Sequence, residues 1–338
     1  MDKALLSKTA AGMVASGRGL LAADESAGTC EKRFQSVGVE CTEETRRAYR
    51  GLLFSTPGVE KFLSGVILFD ETLRQSAPDG TPVPQYLAAK GIIPGIKVDK
   101  GLVDLPLAPD GEKVTEGLDG LAKRMMEYFK LGARFAKWRA VITIGQDIPT
   151  HACLYANAHS LARYAAVCQA ASIVPVIEPE VLLDGSHSIE RCEEVTEAAL
   201  RACYAALAAY NVSLEHHILK ASMVLSGKSN PRQAPWDEVA ERTVRVLKRT
   251  VPAATPGVVF LSGGQTDIDA TAHLNAMAAM GNTAWPLTFS YSRALQHAPL
   301  TTWRGQAANA QQAQQAFHHR AHMNSLASQG KWSKGLEK

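Results

Sequence analysis

Short runs rich in Val, Ile, Leu and Phe, bounded by Gly, Pro, Ser or Asp, recur along the chain between longer stretches of helical period. They cover residues 19–23, 65–69, 93–98, 135–144, 173–178, 216–223, 258–262 and 285–290. Near-continuous apolar runs of this length read as strands buried on both faces. The segments between them predict helices. One starts at Thr42, which Glu43 and Glu44 follow; the others cover 116–132, 157–171, 188–210, 235–251, 266–280 and 305–329. Strand starts lie 27 to 46 residues apart, which is what a strand, a crossover helix and two loops consume. Eight such units predict a single (β/α)8 TIM barrel over residues 1–329, with a short C-terminal tail at 330–338.

An open doubly wound sheet is the competing architecture. It calls for a glycine-rich phosphate loop after its first strand, yet that turn reads Ala23-Asp24-Glu25-Ser26-Ala27-Gly28, with neither a dinucleotide nor a P-loop motif. Phosphate chemistry enters elsewhere. Ser262-Gly263-Gly264 and Ser290-Tyr291-Ser292-Arg293 follow the seventh and eighth strands, where barrels commonly hold phosphate on backbone NH groups and a cation.

Charged residues inside apolar strands need a reason, because Lys and Glu are rarely buried unpaired. Lys97 lies in strand three, Lys137 and Arg139 in strand four, Glu178 and Glu180 at the end of strand five, and Lys220 in strand six. Residues two apart in a strand share a face, so Lys137 with Arg139, and Glu178 with Glu180, can enter one space. Asp24, Lys97, Lys137, Glu178 and Lys220 all fall at or near carboxyl ends of strands, the barrel face that carries active sites. A layer of mutually satisfied Lys/Glu pairs is the purely structural alternative. The chemical reading starts from a buried lysine near a second ammonium, which loses its proton more readily and can attack a ketone to form an iminium, with Glu178 moving the protons. Asp24 across the pocket can take a hydroxyl proton during carbon–carbon cleavage. A metal-assisted route would need several His or carboxylate ligands at strand ends. Of ten histidines only His216 and His217 enter a strand, on opposite faces.

Composition narrows the partners. The 338 residues are 46% hydrophobic and 20% charged, with 36 Lys+Arg against 33 Asp+Glu and a formal charge of +3. That charge is too small for sequence-independent nucleic-acid binding, so no nucleic-acid partner is expected. The six cysteines show no metal spacing and read as reduced thiols. The first residues faintly imitate a signal peptide, but Ser7, Lys8, Thr9 and Gly12 interrupt the apolar stretch, and no run reaches membrane-span length. A cytoplasmic protein with no membrane partner is expected.

The chain resembles the class I fructose-bisphosphate aldolases over about residues 17–329. The resemblance rests on LLAADES, CEKRFQSVGVECTEETRRAYR, SGVILFDETL, GIKVDKG, EGLDGL, FAKWRAVI, VPVIEPE, HHILKASMV, VVFLSGGQ and LTFSYSRALQ, in this order. It implies cleavage of fructose 1,6-bisphosphate to dihydroxyacetone phosphate and glyceraldehyde 3-phosphate, the reverse condensation, no metal or other cofactor, sugar phosphates as partners and a homotetramer. It makes Lys220 the Schiff-base lysine and Glu178 the principal acid/base. Asp24 would act on the C4 hydroxyl and Lys137 would assist cleavage, with Glu180 and Arg139 completing the charge network. Ser262, Gly263 and Arg293 would hold the C1 phosphate; Ser26, Thr29 and Lys97 would hold the C6 phosphate, with Lys32 and Arg33 close by. A lyase or transaldolase for another phosphorylated ketose, such as fructose 1-phosphate, and a scaffold role are the alternatives. Three departures stand out. Ala221-Ser222 follows the lysine where Pro is common, predicting a looser strand end. Ser292 replaces the usual Gly, which predicts a narrower phosphate approach or an added hydroxyl donor. The nine residues after Gln329, rich in Gly, Lys and Glu, predict a tail with little to order it.

Overall fold

The computed structural model describes residues 1–338. In chain order its elements are α1 (Lys3–Met13), β1 (Gly19–Ala23), α2 (Ala27–Gln35), α3 (Glu43–Ser55), β2 (Leu63–Leu68), α4 (Asp70–Arg74), α5 (Val83–Ala89) and β3 (Ile93–Lys97). A hairpin of β4 (Leu102–Asp104) and β5 (Lys113–Thr115) precedes α6 (Leu121–Lys130), β6 (Phe135–Ile142), α7 (His151–Ala170), β7 (Val174–Val181) and α8 (Ile189–Ala209). The chain closes through β8 (Ile218–Ala221), α9 (Trp236–Thr250), β9 (Val258–Phe260), α10 (Asp267–Met280), β10 (Leu287–Tyr291), α11 (Arg293–Trp303) and α12 (Ala310–Ala327). Eight strands, all parallel, form a closed barrel in the order β1-β2-β3-β6-β7-β8-β9-β10, and Leu20 against Ser290 shuts the ring. No helix is long and apolar enough to cross a membrane.

All eight expected strands are present, with ends shifted by a few residues. The sixth starts only at Ile218, because Leu214–His216 forms a 3-10 turn. His216 bonds Ser7 and His217 lies against Tyr204. The helix expected over 116–132 begins late because Gly117 and Gly120 have φ of 121° and 68°, outside helical space. Helix α7 starts six residues earlier than expected, capped by the Thr150 side chain, which accepts from Cys153 N. The expected 305–329 helix is α12 alone. Arg304 and Gly305, at φ 46° and 72°, separate it from α11, which the interior Pro299 concealed in the sequence.

Period-two alternation divides each strand between two cores. Outward residues such as Ala136, Trp138 and Ala140 join the large core under the helices. Inward residues Leu20, Ala22, Ile67, Phe135, Val174, Val176, Ile218 and Val259 form a second core inside the barrel, closed from below by Leu6, Ala10 and Met13 of α1 and by Val14. The segment that imitates a signal peptide is therefore the floor of the barrel. Burying Leu6 and Met13 stabilises that closure by about 1.5–3 kcal/mol each. Gly95 is required in the same layer, since a Cβ there would lie 2.2 Å from the Phe135 ring. The charges stacked above this apolar floor have low-dielectric packing beneath them, which strengthens their mutual interactions.

Candidate active site

The next inward positions along the same strands carry charge. Above Phe135 come Lys137 and Arg139; above Val176 come Glu178 and Glu180; above Ile218 comes Lys220; and Asp24 follows the end of β1. A cavity of about 440 Å³ opens there, on the carboxyl-end face. Its walls include every residue expected at the site: Asp24, Ser26, Thr29, Lys32, Arg33, Lys97, Lys137, Arg139, Glu178, Glu180, Lys220, Ser262, Gly263 and Arg293. Seven of its lining side chains are cationic and four are carboxylates, a balance that favours an anionic ligand.

Glu178, 2% exposed, is the centre. Its Oε1 lies 3.1 Å from Lys220 Nζ and its Oε2 3.0 Å from Lys137 Nζ, both at ion-pair distance but outside hydrogen-bond angles. Lys137 instead donates a hydrogen bond to Asp24 Oδ2 at 3.1 Å. The expectation of one lysine beside another becomes a carboxylate set between two ammonium groups. Burial pushes the Asp24 carboxyl up, but Lys137 and Lys220 outweigh it and hold its pKa at about 2. Burial works the same way on Glu178, and Lys137, then Lys220, bring it below the usual carboxylate range. Lys137 loses by burial and gains more from Asp24 and Glu178, so its proton is held above the ordinary lysine range. Arg139 pairs with Glu180, and Lys97 with Asp99 Oδ1 at 2.7 Å.

Two helix N-termini face the cavity, α2 after β1 and α11 after its neighbour β10. Ser26 and Thr29 mark the start of α2, their hydroxyls 3.1 Å apart. Arg293 opens α11 and forms no ion pair; burial, then Arg33 and Arg139, lower its proton affinity. The Ser262 hydroxyl accepts from Ala294 N at 3.5 Å, joining the end of β9 to α11. Gly263 lets the backbone approach closely, since a Cβ there would stand 3.0 Å from Glu180 Oε1 and 2.9 Å from a Leu261 methyl. Exposed NH groups at a helix start, with a free guanidinium beside them, suit phosphate.

The departures resolve structurally. The strand end after Lys220 is held, since Ala221 O accepts from Leu261 N at 3.0 Å and the buried Ser222 hydroxyl donates to Val181 O at 2.9 Å. The Ser292 hydroxyl donates its hydrogen to Glu25, beside it in the cavity wall, and so has none left for a ligand. The tail is ordered. Trp332, 7% exposed, packs edge-on to Trp236 and takes Asn275 Oδ1 on its backbone NH, and Glu337 pairs with Arg320. Sequence reasoning saw few apolar residues there and missed that one Trp and one ion pair suffice; none of residues 330–338 lines the cavity. Glu25, buried and bonded by Arg33, Ser292 and Gln296, was also missed. Its place beside Asp24 in the first βα turn was the only available signal.

A family profile described as fructose-bisphosphate aldolase class-I matches residues 5–338. The chain is 60% identical over 328 residues to a probable fructose-bisphosphate aldolase class 1 of Xanthomonas axonopodis pv. citri, covering 97% of this chain and 98% of the relative. It is 53% identical over 332 residues to fructose-bisphosphate aldolase 1 of Toxoplasma gondii, covering 98% and 91%. Among solved structures, fructose-bisphosphate aldolase from Plasmodium falciparum, in complex with TRAP and a small molecule inhibitor, superposes with a TM-score of 0.96 at 49% identity, covering 98% of this chain and 96% of that one.

Proposed function

Because the chain belongs to the class I fructose-bisphosphate aldolases, we propose that its chemistry runs through Lys220, Glu178, Lys137 and Asp24. The enzyme is a lyase that reversibly cleaves fructose 1,6-bisphosphate to dihydroxyacetone phosphate and glyceraldehyde 3-phosphate, a step of glycolysis and gluconeogenesis. The observation that carries the residue assignment is Glu178 set between the two ammonium groups.

Once the Lys220 ammonium turns to align an N–H with Glu178 Oε1, 3.1 Å away, transfer of one proton makes a neutral amine and a carboxylic acid while conserving charge. The amine attacks the C2 ketone, and Glu178 returns the proton to the carbinolamine hydroxyl, which leaves as water. The iminium then accepts the electrons of the C3–C4 bond. As the enamine forms, the positive charge on the Lys220 nitrogen vanishes, and with it one of the three cations, Lys137, Lys220 and Arg139, that depress Glu178. Glu178 becomes a better proton acceptor at the moment the C4 hydroxyl must lose its proton. Asp24, held at about 2, stays ionised and orients that hydroxyl by accepting its hydrogen bond. Lys137 steadies both carboxylates. Protonation at C3 and hydrolysis release dihydroxyacetone phosphate.

For the phosphates, the start of α11 with Ser262, Gly263 and Arg293 suits C1, and the start of α2 with Ser26, Thr29, Lys32, Arg33 and Lys97 suits C6. Glu180 pairs with Arg139 in the wall of the same cavity. A cytoplasmic homotetramer completes the proposal. Cytosolic aldolases of Arabidopsis thaliana, 52% and 51% identical, support the location. Leu102, Val103 and Leu107, exposed on the β4–β5 hairpin, support association. Sedimentation equilibrium tests it, a monomer being the contrary result.

Borohydride reduction in the presence of dihydroxyacetone phosphate, followed by peptide mapping, tests the central assignment. Inactivation with the label on Lys220, and activity that survives chelation, are expected. Activity lost to EDTA and restored by zinc would overturn it.

A further inference from the structure

Ser292 sits between β10 and α11 at φ −104°, where the backbone makes no demand for the glycine common in the family. Its hydroxyl donates to Glu25 Oε1 at 2.7 Å and accepts from Arg33 Nη1 at 2.9 Å. Gln296 Nε2 approaches it at 3.2 Å but has nearer acceptors, Ala22 O and Glu25 Oε1, both at 2.7 Å. A hydroxyl owns one hydrogen and two lone pairs, so this one is fully engaged and has nothing left to donate to a ligand. Arg33 is oriented by it. Both hydrogens of Nη1 are used, one on Glu25 Oε1 and one on Ser292 Oγ, while Nη2 and Nε make no hydrogen bond and the side chain lines the cavity.

We propose that Ser292 is a positioning residue for recognition of the second phosphate. It holds the open edge of Arg33 toward the cavity and ties that guanidinium to the residue directly before Arg293, so the Glu25-paired Arg33 and the unpaired Arg293 keep a fixed relation matched to a bisphosphorylated ketose. Held by Glu25 alone, Arg33 would pivot on one carboxylate oxygen and would lose rotamer freedom only when substrate arrived. The inference rests on the reading that Arg33 faces the C6 phosphate.

The test compares fructose 1,6-bisphosphate with fructose 1-phosphate in Ser292→Ala, Ser292→Gly, Ser292→Thr and Arg33→Ala. Loss of the hydroxyl raises KM for the bisphosphate by about three- to tenfold, the effect of one hydrogen bond, with kcat within about twofold. KM for the monophosphate stays within about twofold, and Ser292→Thr restores the parent value. Equal changes for both ketoses, or none for either, would overturn the inference. If Arg33→Ala raises KM for the bisphosphate alone while Ser292→Ala does not, the role of Arg33 stands and that of Ser292 falls. If Arg33→Ala treats both ketoses alike, the C6 reading of Arg33 fails first and takes the inference with it.

Discussion

Lys220 Nζ lies 3.1 Å from Glu178 Oε1, although the two residues belong to neighbouring strands and are 42 positions apart. Their pairing offsets the cost of burying each charge, and in the proposed mechanism it is also the path of proton transfer. Replacing Glu178 by Gln should lower turnover by about 10²-fold or more, with little change in substrate binding. Steady-state kinetics on fructose 1,6-bisphosphate measures this; unaltered turnover would move the proton-transfer role to Glu180.

Asp24 makes stability depend on acidity. Its folded pKa of about 2 lies below the unfolded value of about 3.9. Its contribution, of order 2 kcal/mol, is therefore fully present above pH 4 and is lost as pH falls toward 2. Denaturant unfolding of the parent between pH 5 and 2 should show this loss, and Asp24→Asn should lack that component. Parallel pH curves for the two proteins would contradict it.

Arg293, free of any carboxylate partner, should contribute directly to phosphate affinity. Replacing it by Ala should weaken fructose 1,6-bisphosphate and dihydroxyacetone phosphate alike by about 1.5–3 kcal/mol, the range of a charge-assisted contact. Calorimetric titration of both ligands decides the matter. Equal affinities in mutant and parent would remove this loop from the C1 phosphate site.

The docked C-terminal segment should matter for stability more than for chemistry. Trp332→Ala removes a buried indole and should destabilise by about 3 kcal/mol. Deleting residues 330–338 should also leave Arg320 without Glu337, yet keep cleavage and C3 proton exchange within about threefold, roughly 0.65 kcal/mol of barrier. Thermal melts and tritium exchange measure the two effects. A selective loss of exchange at intact fold would show that the segment reaches the cavity.

Strand periodicity is a local property, and it made the barrel and its charged layer legible. Phe135, Lys137 and Arg139 alternate with Ala136 and Trp138 whatever their neighbours, so their shared face could be read from the chain alone. The same holds for Glu178 with Glu180 and for Lys220 above Ile218. The expected charges all line one cavity because parallel staves bring successive strand ends to a single face. What only the tertiary structure decided is which carboxylate meets which cation. Ring closure sets β1 against β10 and carries Ser292 to Glu25 across 267 positions, and the same closure gives Gln296 and Arg33 their shared acceptor. Packing of α12 and the following segment on α10 orders Trp332, which composition alone described as a poor anchor. Such pairings depend on distances fixed by the closed barrel, and no spacing along the chain encodes them.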